Sequence, residues 1–195
     1  MSETLSQAVE YSLEVNRSRF VALAMPVRDV DHAVEVLRAQ RIADAHHNAW
    51  AYRIGNDYRF NDDGEVGGTA GKPILAAIDG QGLDRVAVRV ARWFGGIKLG
   101  TGGLARAYGG CAGECLRRAA RQAIIEQAAL SFVIDFALEQ VARAALATHG
   151  GQVLGHDYGA DGLHLRIQLP ASHEAALRSA LTDLSRGRIV FTEPA

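Results

Sequence analysis

The chain has 195 residues, 48% hydrophobic and 22% charged, with a formal net charge of −1. That size fits one large or two small globular domains, and near-neutrality gives no pull toward nucleic acid or an anionic membrane as a whole. Two cysteines exclude a disulfide framework, and no apolar run approaches the roughly 18 residues that a membrane span needs.

The opening MSETLSQAVE lacks the basic start and apolar core of a signal peptide, so a cytoplasmic protein with no membrane partner is expected. YSLEVNRSRFVALAMPV carries two strand-like runs around a polar break at Asn16 to Arg19 and predicts a hairpin. DVDHAVEVLRAQRI places Val30, Ala33, Val34 and Leu37 at helical spacing, with Asp29 or Asp31 as the cap. NAWAYRI and DYRF predict strands about a Gly55-Asn56 turn. The polar loop NDDGEVGGTAGKPIL leads into a short helix around Pro73 to Ile78. DRVAVRVA alternates as a strand, and a second helix is expected to run to about Gln122.

The last third restarts the apolar pattern. LSFVIDFAL predicts a strand, LEQVARAALATHGG a helix stopped at Gly150, and QVLGHDY with LHLRIQL a hairpin about GADG. A helix from Ser172 carries Leu177, Leu181 and Leu184, and RIVFT closes the chain as a strand. The order β-α-β-β-α-β is that of a ferredoxin-like domain. The fold class is therefore α+β, with domains at 1–126 and 127–195.

Glycine is concentrated in the centre: fourteen of the 21 fall between Gly64 and Gly113. A glycine inside a helix costs about 1 kcal/mol relative to alanine, so this density points to tight turns or close backbone approach. Charge is divided as well. Arg85 to Gln122 holds eight cations against Glu114, whereas Asn56 to Val66 holds Asp57, Asp62, Asp63 and Glu65 against Arg59. In GGIKLGTGGLARAYGG, the backbone N–H groups of Gly95, Gly96, Gly100, Gly102 and Gly103 precede or open a helix, where the dipole favours an anion. Lys98 and Arg106 are the cations placed to join them. Further on, Gly109, Gly110 and Gly113 are expected to let that helix sit close to a sheet.

Other motifs are weaker. GGTAGKP is too short for a phosphate-binding P-loop, and Pro73 stands where a magnesium-holding Ser or Thr belongs. No dinucleotide fingerprint follows a strand. Cys111 and Cys115, four apart on an apolar helix face, read as core rather than metal ligands. His46 and His47 are secondary candidates, and as neighbours on a strand they should face opposite ways. Asp62, Asp63 and Glu65 make an acidic loop that could either be a turn or hold a cation. No metal or cofactor is called for, and no DNA sequence specificity is expected.

FNDDGEVGGTAGKPIL together with VRVARWFGGIKLGTGGLARAYGG resembles the paired signature of the YigZ/IMPACT family, and NRSRFVALAMPV and ADAHHNAWAYRI match it too. Val66 replaces the family's usual proline, so a looser turn is expected there. The resemblance implies an N-terminal domain folded like the second domain of ribosomal protein S five, and a C-terminal domain like the last domain of elongation factor G. It implies a link to translational control, since eukaryotic members bind a ribosome-associated activator of a kinase. It carries over no catalytic residue, but it adds Arg92 and Tyr108 to the ligand candidates, and Gly64, Thr69 and Gly71 to the acidic-loop set. Three readings follow. The first is a regulatory binding protein acting on RNA or a ribosome-associated protein. The second is an enzyme or sensor for a phosphorylated small molecule, and the third a purely structural adaptor. The C-terminal domain alone has five basic and seven acidic residues and no paired aromatics of the RNA-binding kind.

Overall fold

A three-residue strand, β1 (Glu3–Leu5), opens the computed structural model, which describes residues 2–192. The hairpin follows as β2 (Val9–Val15) and β3 (Ser18–Pro26), turning through Asn16 and Arg17 at positive φ. Helix α1 (Val30–Ala39) starts at Asp29, whose carboxylate accepts the His32 N–H at 2.8 Å. Strands β4 (His47–Ile54) and β5 (Asp57–Asn61) flank the Gly55 turn. Helix α2 (Gly71–Gly80), β6 (Val86–Trp93) and helix α3 (Gly100–Arg118) complete the glycine-rich region.

These strands form one antiparallel sheet in the order β2-β3-β6-β4-β5. Alternation sends successive side chains of a strand to opposite faces, and both faces are covered. On one, Phe20, Ala22, Ala24, Val88 and Val90 pack with Ile74 and Ile78 of α2 and Leu104, Tyr108 and Leu116 of α3. On the other, Met25, Tyr52 and Ala87 pack with Ala33 and Leu37 of α1. Central β6 is therefore buried along nearly its whole length.

Two expectations need correction. Helix α3 does not reach Gln122. It ends at Arg118, Ala119 turns extended, and Arg121–Ala123 forms β7, antiparallel to β1. The glycines in α3 do not serve approach to a sheet either. A Cβ on Gly109 would touch Pro73 at 3.4 Å and one on Gly113 would touch Ala77 at 3.9 Å, both on α2, while Gly110 faces open space. Gly109 and Gly113 face α2 rather than the sheet, at ordinary contact distance. Cys111 and Cys115 are fully buried, with thiols donating to backbone carbonyls of β2 and β3. Burial pushes their pKa values up to about 12 and about 11.

The chain divides into two compact units between Ile124 and Ile125. The second holds β8 (Gln127–Ile134), α4 (Glu139–Thr148), β9 (Gln152–Gly159), β10 (Gly162–Pro170), α5 (Glu174–Leu184) and β11 (Val190–Thr192). Strand β8 stops at Ile134 rather than near Leu138, because Asp135 caps a 3₁₀ turn that leads into α4. The antiparallel order is β11-β8-β10-β9. Leu163, Leu165, Ile167 and Leu169 of β10 share a core with Leu146 of α4 and Leu177 and Leu181 of α5. The protein is thus α+β, with a five-stranded sheet in one unit and a four-stranded sheet with two helices in the other.

Candidate functional site

The acidic loop between β5 and α2 directs its carboxylates inward. Asp62 accepts backbone N–H groups from Gly68 (2.8 Å), Ala70 (2.9 Å) and Gly71 (2.8 Å), and so ties the loop to the first turn of α2. Partial burial raises its pKa, but the three N–H bonds outweigh that and hold it below the usual value. Asp63 takes Arg41 Nη1 at 3.0 Å and the Asn48 N–H at 2.6 Å. At Val66 the turn is closed by its carbonyl, which accepts both the Thr69 N–H (3.0 Å) and the Thr69 hydroxyl (2.6 Å). Gly71 lies against the Asn61 backbone, where a Cβ would come within 2.7 Å. Gly64 lies beside His47.

Glu65 reaches furthest in. Its Oε1 is 2.6 Å from Arg92 Nη1 and accepts the Tyr108 hydroxyl at 2.8 Å, with the His47 Nε2 at 3.8 Å. Arg92 lies between the Phe20 and Phe94 rings, 5.5 Å from each centroid, and its Nη2 meets the Ser18 hydroxyl at 3.4 Å. Tyr108 meets Phe20 edge-on at 5.1 Å. Burial first, and the bond to Glu65 second, push the Tyr108 phenol far above its usual value. The phenol therefore stays a donor, with Glu65 Oε1 as its acceptor. The two histidines separate as strand geometry requires. His47 turns to this cluster, its Nδ1 2.8 Å from the Asp63 carbonyl oxygen, whereas exposed His46 accepts the Phe94 N–H at 3.3 Å.

The second block is split by the fold. Arg92 and Tyr108 are interior and belong with Glu65, so they cannot meet an external ligand alongside the other candidates. Gly95 is fixed against the hairpin: its N–H donates to Ser18 at 3.2 Å, and a Cβ would fall 2.0 Å from the Arg17 carbonyl oxygen. On either side of Gly95 and Gly96 the chain is exposed, presenting Phe94 before them and Ile97 and Lys98 after. Gly100, at φ +69°, turns it into α3, whose first N–H groups receive no side-chain cap. Gly102 and Gly103 lie in this first turn, and a Cβ on Gly102 would only brush Arg106 at 3.5 Å.

The basic segment is not one continuous face. Arg89 and Arg92 are buried, Arg117 and Arg118 both turn to Glu114, and Arg121 bonds Gln81. Lys98 and Arg106 remain exposed, with no ion pair to a described residue. Arg41 and Ser18 were not anticipated as members of the site. Ser18 lies within the NRSRF motif, which was the available signal for it; Arg41 had none. Among the described residues no group of three His, Cys, Asp or Glu side chains could hold a metal ion. The acidic loop is neutralised by guanidinium and backbone N–H groups of the protein itself.

The fold and paired blocks define a two-unit α+β protein with one family model matched in each unit. Residues 16–116 match the Impact N-terminal domain, and residues 132–188 match a domain of unknown function, DUF1949. The chain belongs to the IMPACT family, which the YigZ-type bacterial proteins share. It is 44% identical over 177 residues to "IMPACT family member in pol 5'region" of Thermus thermophilus, covering 90% of this chain and 97% of that one. It is 36% identical over 183 residues to "IMPACT family member YigZ" of Escherichia coli, covering 90% and 89%. A crystal structure of a hypothetical protein superposes with a TM-score of 0.80 at 31% identity, covering 100% of this chain and 98% of that one. No helix among the described residues is long and apolar enough to cross a membrane.

Proposed function

We propose that this IMPACT-family protein is a cytoplasmic regulatory binding protein connected with translation, and that it engages RNA on a ribosomal particle through the loop from Phe94 to Arg106. One observation carries this reading. Asp62, Asp63 and Glu65 are all engaged within the fold, so the exposed part of the paired blocks is apolar and basic rather than mixed in charge. Phe94 and Ile97 are 42% exposed each, beside Lys98, Arg106 and the open N–H groups of α3. Aromatic faces stack on bases, and cations with helix-start N–H groups take phosphates, which is the combination single-stranded RNA binders use.

The finer fold names support the same direction. The five-stranded unit is read as the type found in the second domain of ribosomal protein S five. The four-stranded unit is read as ferredoxin-like, of the kind that ends elongation factor G. Both kinds recur in translation machinery, although fold alone does not give function.

A second reading, an enzyme or sensor for a phosphorylated small molecule, draws on the uncapped start of α3. It loses the cation once expected at the acidic loop, because Arg41 and Arg92 occupy those carboxylates. Co-sedimentation with purified bacterial ribosomal subunits tests the first reading: it requires binding that weakens steeply with salt and depends on Lys98 and Arg106.

A further inference from the structure

We infer that the opposite face of the N-terminal sheet carries a second site, a cavity beneath α1 that binds a phosphate monoester through Arg89 and Arg38. The first observation is in the strand pattern. In VAVRVARW, a central strand whose other cation, Arg92, faces the Glu65 cluster places Arg89 on the α1 face, between Leu23 of β3 and Trp50 of β4 in register. The residue is 2% exposed. A buried charge is costly unless paired, and arginine does not escape the cost by losing its proton.

The usual compensation is missing. Arg89 Nη1 donates to the Val21 carbonyl at 3.1 Å, its Nε has no partner, and no carboxylate of a described residue lies within ion-pair distance. Burial lowers its pKa, and Glu10, exposed on edge strand β2 in the same cross-strand row, opposes that without forming an ion pair. A guanidinium held in this way is a prepared but unused donor.

The second observation is the cavity it lines, about 230 Å³, with Arg38 and Arg41, the Trp50 indole, Val34 and Leu37 around it. Arg41 is already held by Asp63, and the Asn48 side chain is occupied by both backbone groups of Ile42. Arg38, exposed in the last turn of α1, has no ion pair among the described residues; Asp31 and Glu35 line a second groove with it. The two guanidinium groups, one buried without an ion pair and one exposed, match the two charges of a phosphate monoester, and planar forks suit its oxygens. The indole and the two aliphatic side chains suit a small flat or apolar body on the ester oxygen.

The test uses the full chain carrying Trp93→Phe, which leaves Trp50 as the reporter of the two tryptophans. Phenyl phosphate and inorganic phosphate are titrated by fluorescence. The expected result is a saturable Trp50 response, with phenyl phosphate tighter than inorganic phosphate. Arg89→Met should weaken it at least ten-fold, as should Arg38→Ala. The pair Lys98→Ala and Arg106→Ala should leave it unchanged, which separates this site from the proposed RNA loop. Arg38 lies at the helix end, so its variant decides the matter should Arg89→Met fail to fold. No saturable response, or a response that Arg38→Ala and Arg89→Met leave intact, overturns the proposal.

Discussion

Glu65 and Arg92 form an ion pair at 2.6 Å with side chains only 5% and 6% exposed, and Tyr108 completes it by donating to the same carboxylate oxygen. Removing one partner from a buried pair strands the other, at a cost of about 3–5 kcal/mol. Glu65→Gln should therefore destabilise the N-terminal unit by roughly that amount in urea unfolding. Tyr108→Phe removes one hydrogen bond to a charged group and should cost about 1.5–3 kcal/mol. Equal stability of Glu65→Gln and wild type would show that the pair does not anchor the loop.

How much of this was legible follows from reach along the chain. The hairpin and the alternating Leu163, Leu165, Ile167 and Leu169 of β10 are local patterns present where the sequence places them, and of the two cap candidates Asp29 is the one used. β1 and β7 are three residues each, too short to show a period, and pair across most of the N-terminal unit. Glu65 reads as part of an acidic turn or cation loop because its partners Arg92 and Tyr108 lie 27 and 43 residues away. The count of cations from Arg85 to Gln122 likewise says nothing of where they point, and strand alternation sends Arg89 and Arg92 to opposite sides of the sheet.

Asp62 predicts an acid-side stability change. Its folded pKa lies below the ordinary 3.8, so its contribution is full above that value and is lost as pH falls through the folded pKa. Asp62→Asn should lower stability at neutral pH and flatten the fall below about pH 4. Parallel pH–stability curves for the two proteins would contradict the role of the three N–H bonds.

Cys111 and Cys115 should resist alkylation in the native state at pH 8, since both are fully buried with thiol pKa values near 12 and 11. Mass spectrometry after iodoacetamide treatment should find neither modified until denaturant is added, and then both. Native labelling at the free-thiol rate would mean that α3 opens readily.

The domains proposed at 1–126 and 127–195 predict protease cleavage between β7 and β8, where Ile125 is 62% exposed. Limited digestion should give two fragments that each unfold cooperatively. Resistance there, with cutting inside either unit first, would contradict independent folding.

The central claim is that the loop from Phe94 to Arg106 meets ribosomal RNA, and the most direct measurement is co-sedimentation with purified ribosomal subunits across a salt series. Wild type should bind at low salt and be released steeply as salt rises, because counterion release dominates binding to phosphates. Lys98→Ala combined with Arg106→Ala should weaken binding and reduce the salt slope by about 2, one for each phosphate no longer neutralised. Glu114→Ala, outside the loop, should change neither. Failure to co-sediment at low salt, or a double variant that binds with the wild-type slope, would contradict the account.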